Sequence, residues 1–138
     1  MRQAGTTLSF DTPGRGLIEI TGSVARWLDD TAIVEGLLTL LCRHTSASLL
    51  IQENAAPEVR TDLVAWLDRV APEGDGYAHD EEGPDDMPAH LKATLTGVNL
   101  QIPVAGRRMR LGAWQGLYLA EHRRRPHRRE VALHVIGA

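Results

Sequence analysis

A long, mostly apolar run from Ile33 to Arg43 is the feature that most constrains how this chain can fold. The run falls well short of the ~20 residues that cross a bilayer, and its composition is typical of a strand with both faces buried. Strand alternation places one set of residues on the same face, and that set is Val34, Leu38, Leu40, Cys42 and His44. We therefore expect His44 to point toward the core side, at the end of the strand.

Two later segments have the periodicity of helices. Residues 55–70 carry an apolar face at three- and four-residue spacing, and Asn54 is a good N-cap for them. A second helix is predicted to begin at Asp85 or Asp86 and to end at Gly97. These are the two main helices of the predicted fold.

The other segments are short and have strand-like composition. We predict strands over residues 6–10, 17–21, 47–52, 99–104, 108–112, 116–121 and 130–136, and a short helix with Ser23 as its N-cap. The length of 138 residues fits one hydrophobic core. The predicted fold class is therefore α+β, a single compact domain over residues 1–138 with antiparallel-rich β-sheet layers.

Composition argues against several classes of protein. No apolar stretch is long enough to span a membrane, and the first residues lack the apolar core of a signal peptide. A single cysteine, Cys42, suits a reducing compartment, so we expect a cytoplasmic protein with no membrane partner. Five arginines lie in residues 123–129, but aromatic residues make up only 4% and a solvated turn explains the run. We expect no nucleic-acid partner.

Three histidines lie in three different structural settings. His44 ends the apolar strand, His79 lies in an acidic, Gly-rich loop, and His90 lies just inside the helix that follows. Converging neutral imidazoles are typical of a divalent-metal site, with Zn as the first candidate and Mn, Fe, Ni or Mg as alternatives. The competing interpretation makes His44 a hydrogen-bonded strand-end residue and the other two solvated. Spacing alone leaves the two interpretations about even.

The residues after His44 and after the next strand are candidates for contacting a ligand. Thr45 and Ser46 either satisfy backbone groups of a turn or bind an anion. We favour ligand binding over nucleophilic catalysis because no nucleophile-elbow motif is present. Glu53 is a candidate base or ligand-orienting residue, and Asn54 is a helix cap or a substrate-binding residue.

The segment from Leu111 to Arg123 is dense in residue types that contact ligands. Gln115 beside Gly116 indicates a close approach of another group to the backbone. Arg123 is a candidate clamp for a phosphate or carboxylate. For His122, a role in the site and a position at the surface are equally consistent with the sequence.

The order of these blocks resembles that of the YjbQ-like family, also called the secondary thiamine-phosphate synthase family. The matching segments are HTSASLLIQEN from His44, PEGDGYAH ending at His79, DDMPAHLK from Asp85, and LGAWQGLYLAEHR ending at Arg123. The last two blocks are specific, and the resemblance runs from about residue 5 to the end of the chain. One mild departure is Ala113, where Thr or Ser is common in the family.

The resemblance implies a compact α+β homotrimer in which His44, His79 and His90 bind a metal. It makes Asp86, Glu53 and Arg123 the catalytic candidates. The substrate-binding candidates are Thr45, Ser46, Asn54, Gln115, Gly116 and His122. The family name implies a transferase that joins a pyrimidine diphosphate to a thiazole phosphate and releases pyrophosphate, which looks like a side activity.

Two classes of function follow from this interpretation. The first is a metal-dependent enzyme that acts on a small phosphorylated or otherwise anionic molecule. The alternative is a non-catalytic homotrimer that binds a metal or ligand and serves regulation or assembly. A three-histidine site suits Zn, Fe, Mn or Ni better than Mg, and the sequence contains no Gly-rich phosphate loop.

Overall fold

In the computed structural model, which describes residues 1–74 and 76–138, eight strands and three helices follow one another along the chain. The strands are β1 (Arg2–Thr12), β2 (Gly16–Glu19), β3 (Gly36–Cys42), β4 (Ala47–Glu53), β5 (Asn99–Ala105), β6 (Arg108–Met109), β7 (Gln115–Glu121) and β8 (His127–Gly137). The helices are α1 (Thr21–Asp30), α2 (Pro57–Val70) and α3 (Asp86–Thr96). Asp75, in the acidic Gly-rich loop, lies outside the described residues.

The strands form two antiparallel sheets. The larger sheet has the strand order β1-β8-β3-β5-β6 and the smaller has the order β2-β7-β4. This confirms the predicted α+β class. The ladder between β1 and β8 runs from the pair Arg2↔Gly137 to the pair Thr12↔His127. Both strands therefore extend well beyond the predicted ranges 6–10 and 130–136.

The hydrophobic core is built from residues of both sheets together with α1. Leu38 and Leu40 of β3 belong to the same buried cluster as Leu117 and Leu119 of β7. A fully buried leucine side chain contributes about 1.5–3 kcal/mol relative to an exposed one. The two sheets are therefore held together mainly by these inward-facing aliphatic residues.

The outer face of β3 is exposed, which corrects the prediction that this strand is buried on both faces. Leu37 and Leu41 are 38% and 44% exposed, while Val34 lies before the strand and is also exposed. The reason is that the two longest helices cover the smaller sheet instead. The hydrogen bond from Arg60 of α2 to the Tyr118 hydroxyl of β7 is one of the contacts that fix them there.

Two predicted helix caps lie elsewhere in the structure. α1 begins at Thr21, two residues before Ser23. α2 begins at Pro57, whose missing N–H is tolerated in a first turn. Asn54 is therefore not its N-cap, and its side-chain amide donates a hydrogen bond to Glu19 instead, at 3.3 Å.

The helix that carries His90 has the predicted bounds. Asp85 is the N-cap residue of α3, and Gly97 follows the last turn with φ +96°, which suits glycine. Among the described residues, no helix has the length and apolar character needed to cross a membrane.

Two glycines face each other where β3 and β8 pair. A Cβ added to Gly137 would lie 1.9 Å from the carbonyl oxygen of Glu35, and one added to Gly36 would lie 2.2 Å from that of Ile136. Both obstacles are backbone atoms, which cannot rotate away. The close approach of the two strands therefore requires glycine at both positions.

Candidate metal centre

Two histidines and one aspartate converge at the start of α3. Nε2 of His79 lies 2.6 Å from Oδ2 of Asp86, and Nε2 of His90 lies 3.2 Å from the same oxygen. The three ligand atoms all lie within 4.8 Å of one another. Asp86 and His90 are one helical turn apart, so α3 presents them side by side. We call this group the His79/Asp86/His90 cluster.

The protonation of His90 follows from its second ring nitrogen. Nδ1 lies 2.8 Å from the main-chain carbonyl oxygen of Thr45. A carbonyl only accepts hydrogen bonds, so Nδ1 carries the proton and Nε2 of the neutral ring presents a lone pair. That lone pair faces the Asp86 carboxylate, and the two acceptors need a proton or a cation between them. A backbone carbonyl behind the ring is the usual way to orient a metal-binding histidine.

Asp86 is held from its other side by Arg123. The guanidinium donates from Nη1 to Oδ1 of Asp86 at 2.7 Å and from Nε to Oδ2 of Asp85 at 3.0 Å. Burial raises the pKa of the Asp86 carboxyl, but the hydrogen bond from His79 and the charge of Arg123 outweigh it and leave that pKa lowered. Asp86 therefore stays an anion with one oxygen aimed at the two histidines.

Asp85 and His79 have shifted pKa values for related reasons. Burial alone raises the pKa of Asp85, yet hydrogen bonds from Arg123 and from the Arg124 backbone lower it to about 2. The pKa of His79 is raised, chiefly by its hydrogen bond to Asp86. A proton accordingly occupies the cluster readily and competes with any metal ion for the same atoms.

A buried ion pair supports the Thr45 carbonyl. Glu121 and Arg129 are 1% and 5% exposed, and Nε of Arg129 donates to Oε1 of Glu121 at 2.8 Å. Arg129 also donates to the hydroxyl of Ser46 at 3.0 Å, while Glu121 accepts from the backbone N–H of Arg123 at 3.1 Å. The pair thus anchors both the turn that orients His90 and the arginine that holds Asp86.

His44 is placed outside the cluster in the described structure. Its Nε2 accepts a hydrogen bond from the backbone N–H of Glu130 at 2.7 Å. Burial, followed by the charge of Arg129, lowers its pKa. His44 and His90 do line one groove, and a role for His44 as a ligand stays a prediction that requires its ring to give up the Glu130 contact.

The other predicted site residues divide between the two ends of the β4–β7 ribbon. Ala47 pairs with Glu121 at the end near the cluster, whereas Glu53 pairs with Gln115 at the far end. Six residues of strand separate these ends, which is about 20 Å. Within one chain, the structure therefore does not bring Glu53, Asn54, Gln115 and Gly116 together with the cluster.

The far end has a polar arrangement of its own. A Cβ on Gly116 would lie 2.7 Å from Oε2 of Glu19, which confirms a close approach to this backbone. Oε2 of Glu53 is buried without a hydrogen-bond partner in the described structure. Trp114 is 67% exposed. The catalytic role of Glu53 and the substrate-binding roles of Asn54, Gln115 and Gly116 stay predictions.

His122 and Ser46 lie in the interior rather than at an open site. Nε2 of His122 is 2.8 Å from the hydroxyl of Ser48, and the ring is 3% exposed. Burial lowers the pKa of His122 to about 4, with a smaller effect from Lys92. Ser46 is buried, and its hydroxyl accepts a hydrogen bond from Arg129. That contact serves to hold the turn in place. Direct contact of either residue with a substrate stays a prediction.

Sequence reasoning found the two histidines and Asp86 but missed the supports around them. Glu121 was predicted only as the end of a strand and Arg129 only as part of the arginine run, and their separation by a turn gives no sequence signal of an ion pair. The Thr45 carbonyl is a backbone atom, so no residue type could have indicated it. The sequence predicts a catalytic role for Asp86. In the structure its carboxylate lies beside His79 and His90, in the position of a candidate metal ligand.

The cluster offers two imidazole nitrogens and one carboxylate oxygen to a cation. This donor set suits Zn, Fe, Mn or Co better than Mg, which prefers oxygen ligands alone. Two histidines and a carboxylate are also a set found in catalytic sites that keep a position open to water or substrate. The residues present therefore fit a transition-metal ion.

Comparisons with known proteins agree along nearly the whole chain. The family model described as UPF0047 protein YjbQ-like matches residues 6–138. The UPF0047 protein sll1880 of Synechocystis is 45% identical over 99% of this chain and 93% of its own length. The UPF0047 protein YjbQ of Escherichia coli O157:H7 is 43% identical over 85% of this chain and 86% of its own length.

A solved structure shows the same fold. The crystal structure of a yjbq/upf0047 family protein from Clostridium acetobutylicum superposes with a TM-score of 0.88 and 34% identity. The match covers 95% of this chain and 99% of that one.

Proposed function

The chain belongs to the YjbQ-like UPF0047 family, and from that premise and the geometry of the cluster we propose that it is a metal-dependent enzyme acting on a small molecule. His79, Asp86 and His90 would hold the ion, for which Zn is our first choice and Mn, Fe or Ni are alternatives. The single observation that carries the proposal is the orientation of the His90 ring, whose Nδ1 lies 2.8 Å from the Thr45 carbonyl oxygen while its Nε2 lies 3.2 Å from Oδ2 of Asp86.

A bound ion would supply Lewis-acid chemistry or activate a water molecule. The residues of the chain provide the rest of the site. Thr45 fixes the His90 ring, and Arg123 keeps one Asp86 oxygen directed at the histidines. The groove beside the cluster, lined by His44, Thr45 and His90 among others, would receive the substrate.

Thiamine-phosphate synthase activity stays a narrower prediction within this proposal. That reaction needs a cation to hold a diphosphate. Arg123, the predicted clamp, already donates to Asp85 and Asp86 in the described structure. We therefore propose Arg123 first as a residue that positions Asp86, and only second as a phosphate ligand.

The alternative proposal is a non-catalytic homotrimer that binds a metal or small ligand for regulation or assembly. It is favoured by the division of the predicted site residues between the two ends of the β4–β7 ribbon. Another copy of the chain would be one way to bring Glu53 and Gln115 near the cluster. Sedimentation equilibrium, with and without Zn²⁺, distinguishes a trimer from a monomer.

The experiment that tests the metal centre is elemental analysis of purified protein after incubation with Zn²⁺ and gel filtration. Asp86→Ala and His90→Ala should each lose most of the metal, while His134→Ala, on an exposed strand position, should keep it. His44→Ala decides whether that residue is a further ligand. Full occupancy in both the Asp86 and His90 variants would refute the proposal.

A further inference from the structure

The loop that carries His79 to the cluster contacts the domain mainly near its two ends, among the residues that the structure describes. A Cβ added to Gly74 or to Gly76 would meet no atom within 4 Å, so the backbone is not packed at these positions. The Tyr77 hydroxyl donates to the carbonyl oxygen of Pro72 at 2.7 Å, which is a contact inside the loop. The position of His79 therefore depends on how the two ends of the loop are attached.

Arg123 attaches the end of the loop. Its Nη2 donates to the carbonyl oxygen of Glu82 at 2.9 Å, and the same guanidinium donates to Asp85 and Asp86. One side chain therefore fixes both the last part of the loop and the Asp86 carboxylate that the loop must reach.

Glu73 attaches the start of the loop. Its Oε1 accepts a hydrogen bond from Nη2 of Arg15 at 3.1 Å, and its Oε2 accepts one from Nη2 of Arg124. The side chains of Glu73 and Arg15 are 26% and 24% exposed, so their contact is partly shielded from solvent. Both carboxylate oxygens of Glu73 are therefore held, by guanidinium groups that come from two different turns.

The two turns that supply these arginines are packed against each other. A Cβ added to Gly14 would lie 2.6 Å from the carbonyl oxygen of Arg124, which shows how closely the backbones approach. The backbone N–H of Arg124 donates to Oδ2 of Asp85 at 2.9 Å, and Nη1 of Arg15 lies 3.3 Å from Oδ1 of Asp68. Both arginines are therefore fixed relative to α2 and to the start of α3.

We propose that Glu73 is a positioning residue for the metal centre. By joining the start of the loop to Arg15 and Arg124, it sets where His79 meets Asp86. The inference rests on the proposed metal centre and adds to it a residue that does not touch the ion. A ligand on a loop that is attached at both ends samples fewer positions, so its effective concentration at the ion is higher. Releasing one attachment lowers that concentration and weakens metal binding.

The test is a double-mutant cycle for Co²⁺ affinity, followed by the visible absorption of the full-length protein in competition with a chelator. Glu73→Ala should weaken Co²⁺ binding by roughly ten-fold. It should leave the melting temperature of the metal-free protein nearly unchanged, because the ion pairs that it breaks are partly exposed. In a His79→Ala background, the same substitution should change the affinity by less than about two-fold. Unchanged affinity in Glu73→Ala, or a full ten-fold effect without His79, would overturn the inference. A Co²⁺ spectrum of the unmodified protein identical to that of the free ion would instead refute the metal centre itself.

Arg124→Leu separates positioning from a simple effect of charge. Removing a positive charge near a cation site would strengthen Co²⁺ binding if only long-range electrostatics acted. If Glu73 positions His79, the substitution should weaken binding instead, by roughly three-fold, since Arg15 keeps its contact with Glu73. Arg128→Leu removes an exposed arginine of the same run and should change the affinity by less than about two-fold. Tighter binding in Arg124→Leu, or equal losses in the two arginine variants, would contradict the positioning role.

Discussion

Nδ1 of His90 lies 2.8 Å from the main-chain carbonyl oxygen of Thr45, and this contact decides which nitrogen of the ring is free. The residues come from a turn after β3 and from the first turns of α3, so tertiary packing alone brings them together. The proposed metal site requires this orientation of the His90 ring.

The first prediction concerns the tautomer of His90. Because Nδ1 donates to Thr45, the neutral ring should be the Nδ1–H tautomer, with Nε2 unprotonated. A long-range ¹H–¹⁵N NMR spectrum of metal-free protein at mildly alkaline pH should show this form. Addition of Zn²⁺ should then move the Nε2 resonance of His90 while leaving that of the exposed His134 in place. An Nε2–H tautomer would contradict the assignment.

The second prediction concerns Arg123. Arg123→Leu removes the partner of one Asp86 oxygen, so metal affinity should fall by roughly 10–100-fold. Two buried aspartates also lose their counter-ion, which should lower the free energy of unfolding by about 3 kcal/mol. Competition with a Zn²⁺ chelator and urea unfolding measure the two effects.

The matched control for Arg123 is Arg128→Leu. Arg128 lies 3.6 Å from Asp11, and both side chains are largely exposed. An exposed pair contributes at most about 1 kcal/mol, so stability and metal affinity should be nearly those of the unmodified protein. Equal effects from the two substitutions would mean that Arg123 does not position Asp86.

The third prediction is a pH dependence that originates in His122. Burial lowers its pKa to about 4 in the folded protein, whereas an unfolded histidine titrates near its ordinary value of about 6.5. Its contribution is therefore complete above pH ~6.5 and is lost as the pH falls toward 4. Between about pH 7 and pH 5, the metal-free protein should lose about 2 kcal/mol from this source.

Urea unfolding of His122→Asn at both pH values checks the assignment. The variant should lose the extra destabilisation at low pH, because its side chain does not titrate. His134→Asn, at an exposed position of β8, should keep the pH dependence of the unmodified protein. A pH dependence unchanged by His122→Asn would show that another group is responsible.

The fourth prediction concerns the glycine pair of β3 and β8. Gly137→Ala places a methyl group against the backbone of Glu35, which must move, and we expect a loss of about 3 kcal/mol or more. Gly74→Ala meets no atom within 4 Å and should change stability by less than about 0.5 kcal/mol. Thermal unfolding followed by circular dichroism compares the two, and similar melting temperatures would contradict the packing described for the pair.

Local patterns were sufficient to predict most elements of the fold. Alternation and helical spacing are properties of neighbouring residues, so α3 and the strand after Ile33 were located correctly. The bounds of β1 and β8 were not located correctly. Arg2 and His127 belong to strands only because β1 and β8 pair with each other, and these two strands lie more than a hundred positions apart in the sequence. Local sequence patterns cannot predict a pairing between residues so far apart in the chain.

The site residues, too, were predictable only in part. His79 and His90 were identified from their residue type and setting, and the structure brings them together. The structure places His44 as the hydrogen-bonded strand-end residue of the competing interpretation, but its partner was not predictable, since it is the backbone of Glu130 on a distant strand. The exposed outer face of β3 likewise depends on which sheet the helices cover, and composition carries no information on that choice.

The length of the β4–β7 ribbon has a thermodynamic consequence. Glu53 and Asp86 lie near opposite ends of it and share no partner, so the free-energy effects of changing both in an isolated chain should add within about 0.5 kcal/mol. A double-mutant cycle between these positions therefore reports on assembly. Distant sites in one chain usually add in this way, so a coupling energy well above that limit would indicate that neighbouring chains act as one unit.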